Sequence, residues 1–188
     1  MLLKLLMAIC RALLCLRYQV VVRGLEEILG RRDRQPTGIL FLSNHPALID
    51  PVILTSQLLK HIQVSALVDR QQLDRPVFGW VARKMGAIPV DEIRHSGHVE
   101  NGYAAVASCI AALRSGRHLL VYPSGRLQRE PLEKLGGKSG VQRILEQLPE
   151  TRVVLVRNRG LWGSRFSWAA GIAPAVSEAL FLKGVPAL

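Results

Sequence analysis

The sequence predicts an α/β domain in which a mainly parallel sheet is flanked by helices, preceded by an N-terminal helix at a membrane interface. Two observations support this prediction. Short apolar runs of strand length alternate with longer segments of helical spacing, which is typical of a parallel sheet covered on both faces. The 188 residues also fit one domain with a full-sized core. We therefore divide the chain into an N-terminal helix, 1–22, and one domain, 23–188.

The N-terminal segment, 1–22, is almost wholly apolar, but Lys4, Arg11 and Arg17 leave no apolar run long enough to span a bilayer. On a helix, Lys4 and Arg11 fall within about 20° of each other beside a broad apolar face. This arrangement is typical of a helix that lies in the headgroup region of a membrane. Two alternatives stay open. One is an ordinary core helix, and the other is a secretory signal, although Arg11 would break its apolar core and no clear cleavage site follows.

The later elements follow from apolar periodicity and from the placement of Pro and Gly. Strands are predicted at 18–23, 39–43, 62–67, 87–90, 118–122 and 153–156. Helices are predicted at 51–59, 75–85, 98–114 and 140–148, and a basic loop at 30–38. The helix at 75–85, for example, has Pro76 at its start and Gly86 after its end, the asymmetry expected of helix termini.

The charge of the chain indicates anionic partners. It carries 25 Lys and Arg against 14 Asp and Glu, a net charge of +11 that attracts polyanionic surfaces. Nucleic acid is disfavoured because aromatic residues are only 5% of the chain and no run of five basic residues occurs. A membrane phospholipid surface or a phosphorylated substrate fits better. The three cysteines are too few and too poorly spaced for a disulfide framework or a zinc site, so a reducing compartment and the cytoplasmic face of a membrane are expected.

The most informative motif is the stretch 44–50, which places His45 and Asp50 directly after the predicted strand 39–43. Histidine has the side-chain pKa nearest neutrality, and a carboxylate bonded to one ring nitrogen leaves the other nitrogen free to accept a proton. Such a pair is suited to activating a hydroxyl group. The alternative is that Asp50 caps the following helix, which Pro51 would begin, while His45 merely ends a strand.

A second polar segment, 122–126, follows the predicted strand 118–122. Gly125 allows a tight turn and a close approach of the backbone to a ligand, and Arg126 offers a planar fork to a phosphate, with Arg129 shortly after it. Ligands of open parallel sheets bind at the carboxyl ends of the strands, so we expect this loop to lie near His45. The alternative is a polar turn with solvated arginines.

A third segment, 160–168, places aromatic residues between glycines and arginines after the predicted strand 153–156. Such a segment is suited to forming a wall for an acyl chain with a cationic rim, and a surface loop anchored by tryptophan is equally compatible with these residues.

The order of these segments resembles the glycerolipid acyltransferases of the 1-acylglycerol-3-phosphate acyltransferase superfamily. The stretch 44–50 is similar to the first conserved block of that family, 86–90 to the second and 122–126 to the third, and 153–156 stands where the fourth is expected. The similarity covers about residues 18–175. Four blocks in order are far more specific than any one of them.

The resemblance implies that the free hydroxyl of a lysophospholipid, either lysophosphatidic acid or a related 1-acylglycerophospholipid, attacks an acyl thioester. His45 is then the general base and Asp50 orients it. The donor substrate is acyl-CoA or acyl carrier protein, and neither a metal nor another cofactor is expected. The basic loop would hold the phosphate of the acceptor. The residues expected to bind substrate are Asn44, Ser124, Gly125, Arg126, Arg129 and Arg94.

The chain departs from the family pattern at several positions. In the third block, Ser124 stands in place of a glutamate, Arg126 in place of a threonine and Leu127 in place of an arginine, which puts the acceptor headgroup in doubt and admits acceptors such as acyl-glycerophosphoethanolamine. Arg94 is carried over as a displaced form of the arginine that often follows the second block. The fourth block has Leu155 in place of its usual proline. The chain also ends earlier than the resemblance implies, which leaves open that a final segment is missing.

The function expected from these features is acyl transfer to a lysophospholipid in phospholipid biosynthesis or remodelling, by a protein associated with the membrane. The main alternative is a catalytically silent lipid-binding module of the same fold, which the altered third block favours and the intact His45–Asp50 pair disfavours. A third hypothesis, a protein that binds nucleic acid through its phosphates, depends on charge alone.

Overall fold

The computed structural model describes residues 2–30, 36–90, 99–135 and 139–174. The helices are α1 (Leu2–Cys15), α2 (Leu25–Gly30), α3 (Asp50–Leu58), α4 (Arg70–Leu73), α5 (Pro76–Lys84), α6 (Val99–Arg114) and α7 (Gly140–Gln147). The strands are β1 (Leu40–Ser43), β2 (Val64–Asp69), β3 (Ile88–Val90), β4 (His118–Val121) and β5 (Val153–Val156). A 3₁₀ turn, Trp168–Ala170, follows them.

The five strands form a parallel sheet in the order β3-β2-β4-β1-β5. Leu40 of β1 pairs with Leu119 of β4 on one side and with Val153 of β5 on the other. Because β1 lies between β4 and β5, the three chain segments that leave these strands emerge side by side at one edge. The prediction of an α/β fold with a mainly parallel sheet flanked by helices is confirmed, and the sheet places the stretch 44–50 beside 122–126.

The core occupies both faces of the sheet, since successive strand residues point to opposite faces. On one face, Leu40 packs with Leu113 of α6 and Ile144 of α7. On the other face, Phe41 packs with Leu58 of α3. This burial on both faces explains why the central strands β1 and β4 read as continuous apolar runs rather than as alternating ones.

A third apolar cluster covers the carboxyl edge of the sheet. Its buried members come from the loop after β1, from α3 and from the segment after β5, and they are Ala47, Ile53, Leu161 and Phe166. The partly buried residues packed against it include Leu14, Tyr18 and Val20 from the N-terminal part of the chain. Leu14, Tyr18 and Val20 are therefore packed against the same loop that carries His45.

Helix α1 packs on α3 along one side and exposes an apolar stripe along the other. Met7 is buried, and Arg11 Nη1 donates a hydrogen bond of 2.9 Å to the carbonyl oxygen of Ser56 in α3. The exposed side carries Leu5, Ile9 and Leu13, and Leu16 follows directly after the helix; these four residues are 48–84% exposed. Helix α1 ends at Cys15, so the part of the predicted segment 1–22 that follows it is not helical. Within the part of the chain that the structure describes, every helix is too short or too polar to cross a bilayer.

Most predicted elements are confirmed within two residues at their ends, and the strand predicted at 18–23 is wrong. That segment has no regular secondary structure because Tyr18 and Val20 pack into the third apolar cluster rather than pairing with a strand. Helices α2 and α4 were not predicted, since six and four residues are too few for a helical period to stand out. The centre of the predicted loop 30–38 and the first residue of the predicted helix 98–114 lie outside the described residues.

Candidate active site

His45 lies in the loop between β1 and α3, at the carboxyl edge of the sheet. Its Nδ1 atom is 3.1 Å from Asp50 Oδ2, and the His45 side chain is 16% exposed whereas that of Asp50 is fully buried. A carboxylate at this distance holds the proton on Nδ1 and leaves the lone pair on Nε2. The structure thus brings together the two residues that the sequence proposed as a proton-transfer pair.

The carboxylate of Asp50 is held by the loop as well as by the imidazole. Oδ2 also accepts a hydrogen bond of 2.9 Å from the backbone N–H of Ala47. Oδ1 is buried and has no hydrogen-bond partner among the described residues. Burial raises the pKa of Asp50, and the bonds from His45 and Ala47 oppose that rise. The alternative that Asp50 merely caps α3 is wrong, because the helix begins at Asp50 itself, its N-cap is Ile49, and the structure shows no side-chain hydrogen bond at this cap within the described residues.

Tyr122, directly after β4, forms a flat wall on one side of His45. The two ring centroids are 4.1 Å apart and the ring planes are inclined by 23°. The phenol oxygen is buried and has no hydrogen-bond partner among the described residues. Burial raises the pKa of Tyr122 well above its ordinary value, and the negative charges of Asp50 and Glu133 raise it further. The phenol is therefore neutral, and its ring is the part that touches the imidazole.

The Asn44 side chain is held by hydrogen bonds to Asn158, which lies just beyond the end of β5. Its Nδ2 donates to the carbonyl oxygen of Asn158 at 3.0 Å, and its Oδ1 accepts from the backbone N–H of Asn158 at 2.7 Å. The Asn158 amide reaches back to Ser43 Oγ at 3.2 Å and to the Asn44 carbonyl oxygen at 3.3 Å. This reciprocal pairing continues the contact between β1 and β5 beyond the strands and fixes the backbone that precedes His45. The Asn44 amide expected to bind substrate therefore makes its contacts with the protein.

The loop after β4 turns tightly at Gly125 and uses Ser124 as an internal support. Gly125 has a φ of +63°, and its N–H donates to the Tyr122 carbonyl oxygen at 2.9 Å. Ser124 is buried, with Oγ 2.9 Å from the Arg126 carbonyl oxygen and within hydrogen-bond distance of Glu133 Oε1. The hydroxyl has one proton and donates it to one of these oxygens at a time. Ser124 thus supports the loop. The carboxylate of Glu133 lies against this serine, which stands where the third block usually has a glutamate.

Gln128 connects this loop to the backbone of His45. Its backbone N–H donates to the His45 carbonyl oxygen at 2.8 Å. Its buried side chain donates from Nε2 to the carbonyl oxygens of Glu130 and Pro131, both at 2.7 Å. The position of His45 therefore depends on the loop after β4 at two points, through the Gln128 N–H and through the Tyr122 ring.

The two arginines of this loop have different surroundings. The Arg129 guanidinium lies over the Trp168 ring, 4.7 Å from its centroid, in a cation–π contact that joins the loop after β4 to the segment after β5. Arg126 is exposed, and the structure shows no hydrogen bond or ion pair for its guanidinium within the described residues. The Arg126 guanidinium is therefore available to an anionic ligand. Arg94, the third predicted cation, lies outside the described residues.

A family model described as Acyltransferase matches residues 20–160, which is more than half of the chain and includes both loops at the carboxyl edge. The chain belongs to the glycerolipid acyltransferase family. The resemblance inferred from the four sequence blocks is thereby confirmed. Searches of curated proteins and of solved structures gave no match.

In an acyltransferase, the residues around His45 are suited to removing the proton of a hydroxyl group. A hydroxyl group is a weak nucleophile until its proton can leave, and a positioned imidazole can take that proton. His45 has an oriented ring, a buried carboxylate on Nδ1 and a partly exposed side chain, which together meet this requirement. Within the described parts of the chain, no group of three or more His, Cys, Asp or Glu side chains could hold a metal ion.

Sequence reasoning about this acyltransferase missed the supports of the site. Asn44 and Asn158 each stand just beyond a predicted strand, but their interaction depends on β5 lying beside β1, which is visible only in the structure. Tyr122 was recognised as part of its block, but the stacking on His45 depends on the lateral order of β1 and β4, which the sequence does not give. The contact of Glu133 with Ser124 depends on the path of an irregular loop and has no local signal.

Proposed function

We propose that this acyltransferase moves a fatty acyl group from the thioester of acyl-CoA or acyl carrier protein to the free hydroxyl of a lysophospholipid. The observation that carries the proposal is the His45–Asp50 pair, with Nδ1 and Oδ2 3.1 Å apart and the carboxylate fully buried. Lysophosphatidic acid or a related 1-acylglycerophospholipid is the acceptor class. The reaction belongs to phospholipid biosynthesis or remodelling.

In the proposed reaction His45 is the general base. The acceptor hydroxyl gives its proton to Nε2 as its oxygen attacks the thioester carbonyl carbon, and the new C–O bond forms a tetrahedral intermediate. The intermediate collapses as the C–S bond breaks, and the leaving sulfur takes a proton from the imidazolium to become a free thiol. Asp50 stabilises the transient positive charge of His45, and a positioned base of this kind contributes about 10²- to 10⁴-fold. The acyl group passes directly between the two substrates without an acyl-enzyme.

Arg126 is proposed to bind the phosphate of the acceptor. The guanidinium is exposed, follows the turn at Gly125, and belongs to the loop whose Tyr122 touches His45. A phosphate held there fixes the acceptor close to the base, and such positioning supplies much of the rate of a bimolecular reaction. Arg129 is proposed to contribute to the same positive field while its guanidinium supports Trp168.

Association with the cytoplasmic face of a phospholipid membrane is proposed through α1. The exposed residues Leu5, Ile9 and Leu13, with Leu16 just after the helix, form an apolar stripe, and the opposite side of α1 packs on α3. The net charge of +11 supports attraction to anionic lipid headgroups. Such docking would bring the carboxyl edge of the sheet close to lipid substrates, since α1 and the His45 loop share the third apolar cluster.

The test is a thiol-release assay on purified protein with an acyl thioester and a panel of lysophospholipids. Wild-type protein and the variant His61→Ala, which removes an exposed histidine at the opposite edge of the sheet, are expected to release thiol at similar rates. The variant His45→Ala is expected to release thiol at least 100-fold more slowly than wild type. Equal rates for His45→Ala and wild type would refute the proposal. Vesicle binding without thiol release from any donor and acceptor would favour the silent lipid-binding module.

A further inference from the structure

One hydrogen bond alone leaves the ring of His45 poorly defined. The contact between Nδ1 and Asp50 Oδ2 fixes one edge of the imidazole, yet the ring can still rock about that contact. Rocking moves Nε2, which lies on the far edge, through the largest arc. A second contact on the face of the ring is needed to hold Nε2 at one place.

Tyr122 supplies this contact on one face of the imidazole. The centroid distance of 4.1 Å and the inclination of 23° describe two rings in stacked contact rather than an edge touching a face. Asp50 lies on one edge of the imidazole and Tyr122 on one face, so neither of them occupies the Nε2 edge or the other face, and the side chain is 16% exposed. An acceptor hydroxyl can approach from there.

Tyr122 is held by contacts of both its backbone and its side chain. Tyr122 follows Val121, which pairs with Leu42 of β1, so the two strands that carry the rings are hydrogen-bonded neighbours. The Tyr122 carbonyl oxygen accepts the turn bond from Gly125, and the side chain packs against the apolar cluster on the Phe41 face of the sheet. The ring therefore has fixed neighbours at its backbone and along its side chain.

We infer that Tyr122 is a positioning residue of this acyltransferase, whose aromatic ring, and not its hydroxyl, holds the imidazole of His45 in the orientation that presents Nε2 to the acceptor. The inference depends on the proposed role of His45 as general base. It adds a residue whose contribution acts through His45 without touching substrate.

The hydroxyl of Tyr122 is a poor candidate for a role of its own. It is buried, makes no hydrogen bond among the described residues, and is influenced by the negative charges of Asp50 and Glu133. An oxyanion that formed beside this hydroxyl would be repelled by the two carboxylates, so stabilisation of the tetrahedral intermediate at this point is unfavourable. The elevated pKa also keeps the phenol protonated, which prevents it from acting as a base.

The test compares Tyr122→Phe, Tyr122→Leu and Tyr122→Met in the thiol-release assay, with Tyr103→Leu on α6 as a matched control at an exposed tyrosine. Tyr122→Phe keeps the stack and is expected to keep kcat within about twofold. Tyr122→Leu and Tyr122→Met are expected to lower kcat by about 10- to 100-fold, because small displacements of a reacting group cost up to about 10²-fold. The KM values for donor and acceptor are expected to stay unchanged. Methionine fills much of the tyrosine volume but has no flat face, so Tyr122→Met tests the loss of the aromatic ring even if the leucine variant fails to fold.

A second measurement reads the geometry of His45 without any substrate. The proton on Nδ1, which its bond to buried Asp50 protects from exchange with water, is expected to give a downfield resonance in the NMR spectrum of wild-type protein and of Tyr122→Phe. In Tyr122→Leu and Tyr122→Met, the looser ring is expected to broaden or abolish that resonance through exchange with water, while the fold is retained by circular dichroism.

The outcomes separate this inference from the proposed function. If His45→Ala is inactive while Tyr122→Met keeps wild-type kcat and the downfield resonance, the positioning role is refuted and the general base stands. If Tyr122→Phe is impaired as much as Tyr122→Leu, the hydroxyl carries the effect and the inference is also wrong. If His45→Ala keeps full activity, the proposed function fails, and the role of Tyr122 fails with it.

Discussion

Replacing Asp50 by asparagine removes one charge from a fully buried site and leaves the shape of the side chain almost unchanged. The amide oxygen is expected to take the place of Oδ2, because the Ala47 N–H needs an acceptor there. The imidazole keeps a hydrogen bond but loses the carboxylate that balances its positive charge during proton transfer. At about 4 Å between charge centres and an effective dielectric constant of about 20, this attraction is about 4 kcal/mol. We therefore expect the rate of thiol release to fall by about a thousandfold.

The stability of Asp50→Asn should respond in a different way from its activity. The new amide N–H₂ group would occupy the place of Oδ1, which has no partner among the described residues, and an unsatisfied buried donor costs about 1–3 kcal/mol. Removal of the buried charge opposes this loss. Because folding raises the pKa of Asp50, its contribution to stability is fully present below its unfolded pKa and is lost as the pH rises through its folded pKa. The stability deficit of the variant should thus be largest in acid and smaller at neutral pH.

The assay is thiol release beside urea unfolding at several pH values, with Asp74→Asn as the control. Asp74 is an exposed aspartate at the end of α4, and its replacement is expected to change neither rate nor stability. If Asp50→Asn keeps wild-type kcat, the reasoning that His45 needs a buried carboxylate is wrong. If the stability deficit of Asp50→Asn grows from acid to neutral pH, the argument from burial is wrong.

Three further outcomes are expected. Asn158→Ala should lower the free energy of unfolding by about 1–3 kcal/mol in urea titrations and reduce kcat, because the lost amide donates at 3.2 Å and 3.3 Å to the residues before His45; an unchanged unfolding midpoint would contradict this role. Arg126→Ala should raise the acceptor KM by about tenfold or more, whereas Arg129→Ala should change it by less than about threefold. Of these two arginines, Arg129 is the one whose guanidinium lies over an aromatic ring. Equal changes in KM would refute this distinction. Leu13→Asp and Leu16→Asp, at positions 61% and 84% exposed, should each weaken vesicle binding by about tenfold or more and leave turnover of detergent-dispersed substrate intact; unchanged sedimentation with vesicles would refute the docking of α1.

The fold was predictable because each strand has a local signal. A strand buried on both faces must be apolar at nearly every position, so β1 and β4 stand out as short runs between polar segments. The edge strand β5 is also apolar throughout, although Val153 and Leu155 are exposed. The order of the strands has no such signal, because it depends on which helices cover which face. The segment 18–23 has the β-branched composition of a strand, yet Val20 packs into the third apolar cluster while Val21 and Val22 are exposed, and the segment has no regular secondary structure.

The candidate site was predictable where it depends on sequence spacing and not where it depends on contacts across the sheet. His45 and Asp50 are separated by one short loop, so their proximity could be inferred from the chain itself. Asn44 and Ser124 were expected to face substrate, yet the structure uses their polar groups for Asn158 and for Glu133. A polar residue beside a catalytic motif can bind a ligand or hold the loops of the site together. Which of the two it does depends on whether another residue of the protein lies within hydrogen-bond distance.

The supports of His45 come from neighbouring strands, and this explains why a parallel sheet suits such a site. Asn158 reaches the residues before His45 from the end of β5, and Tyr122 reaches its ring from the end of β4, on the two sides of β1. Hydrogen bonds within the sheet keep the three strand ends in register, so the supports keep their distances even though they are far apart in sequence. Substitutions in the third block can then alter how the loop meets a ligand without moving the base. The serine at position 124 is an example, since it is buried inside the loop while the stack of Tyr122 on His45 is formed. The altered block is therefore a reason to test the acceptor headgroup rather than a reason to expect a silent site.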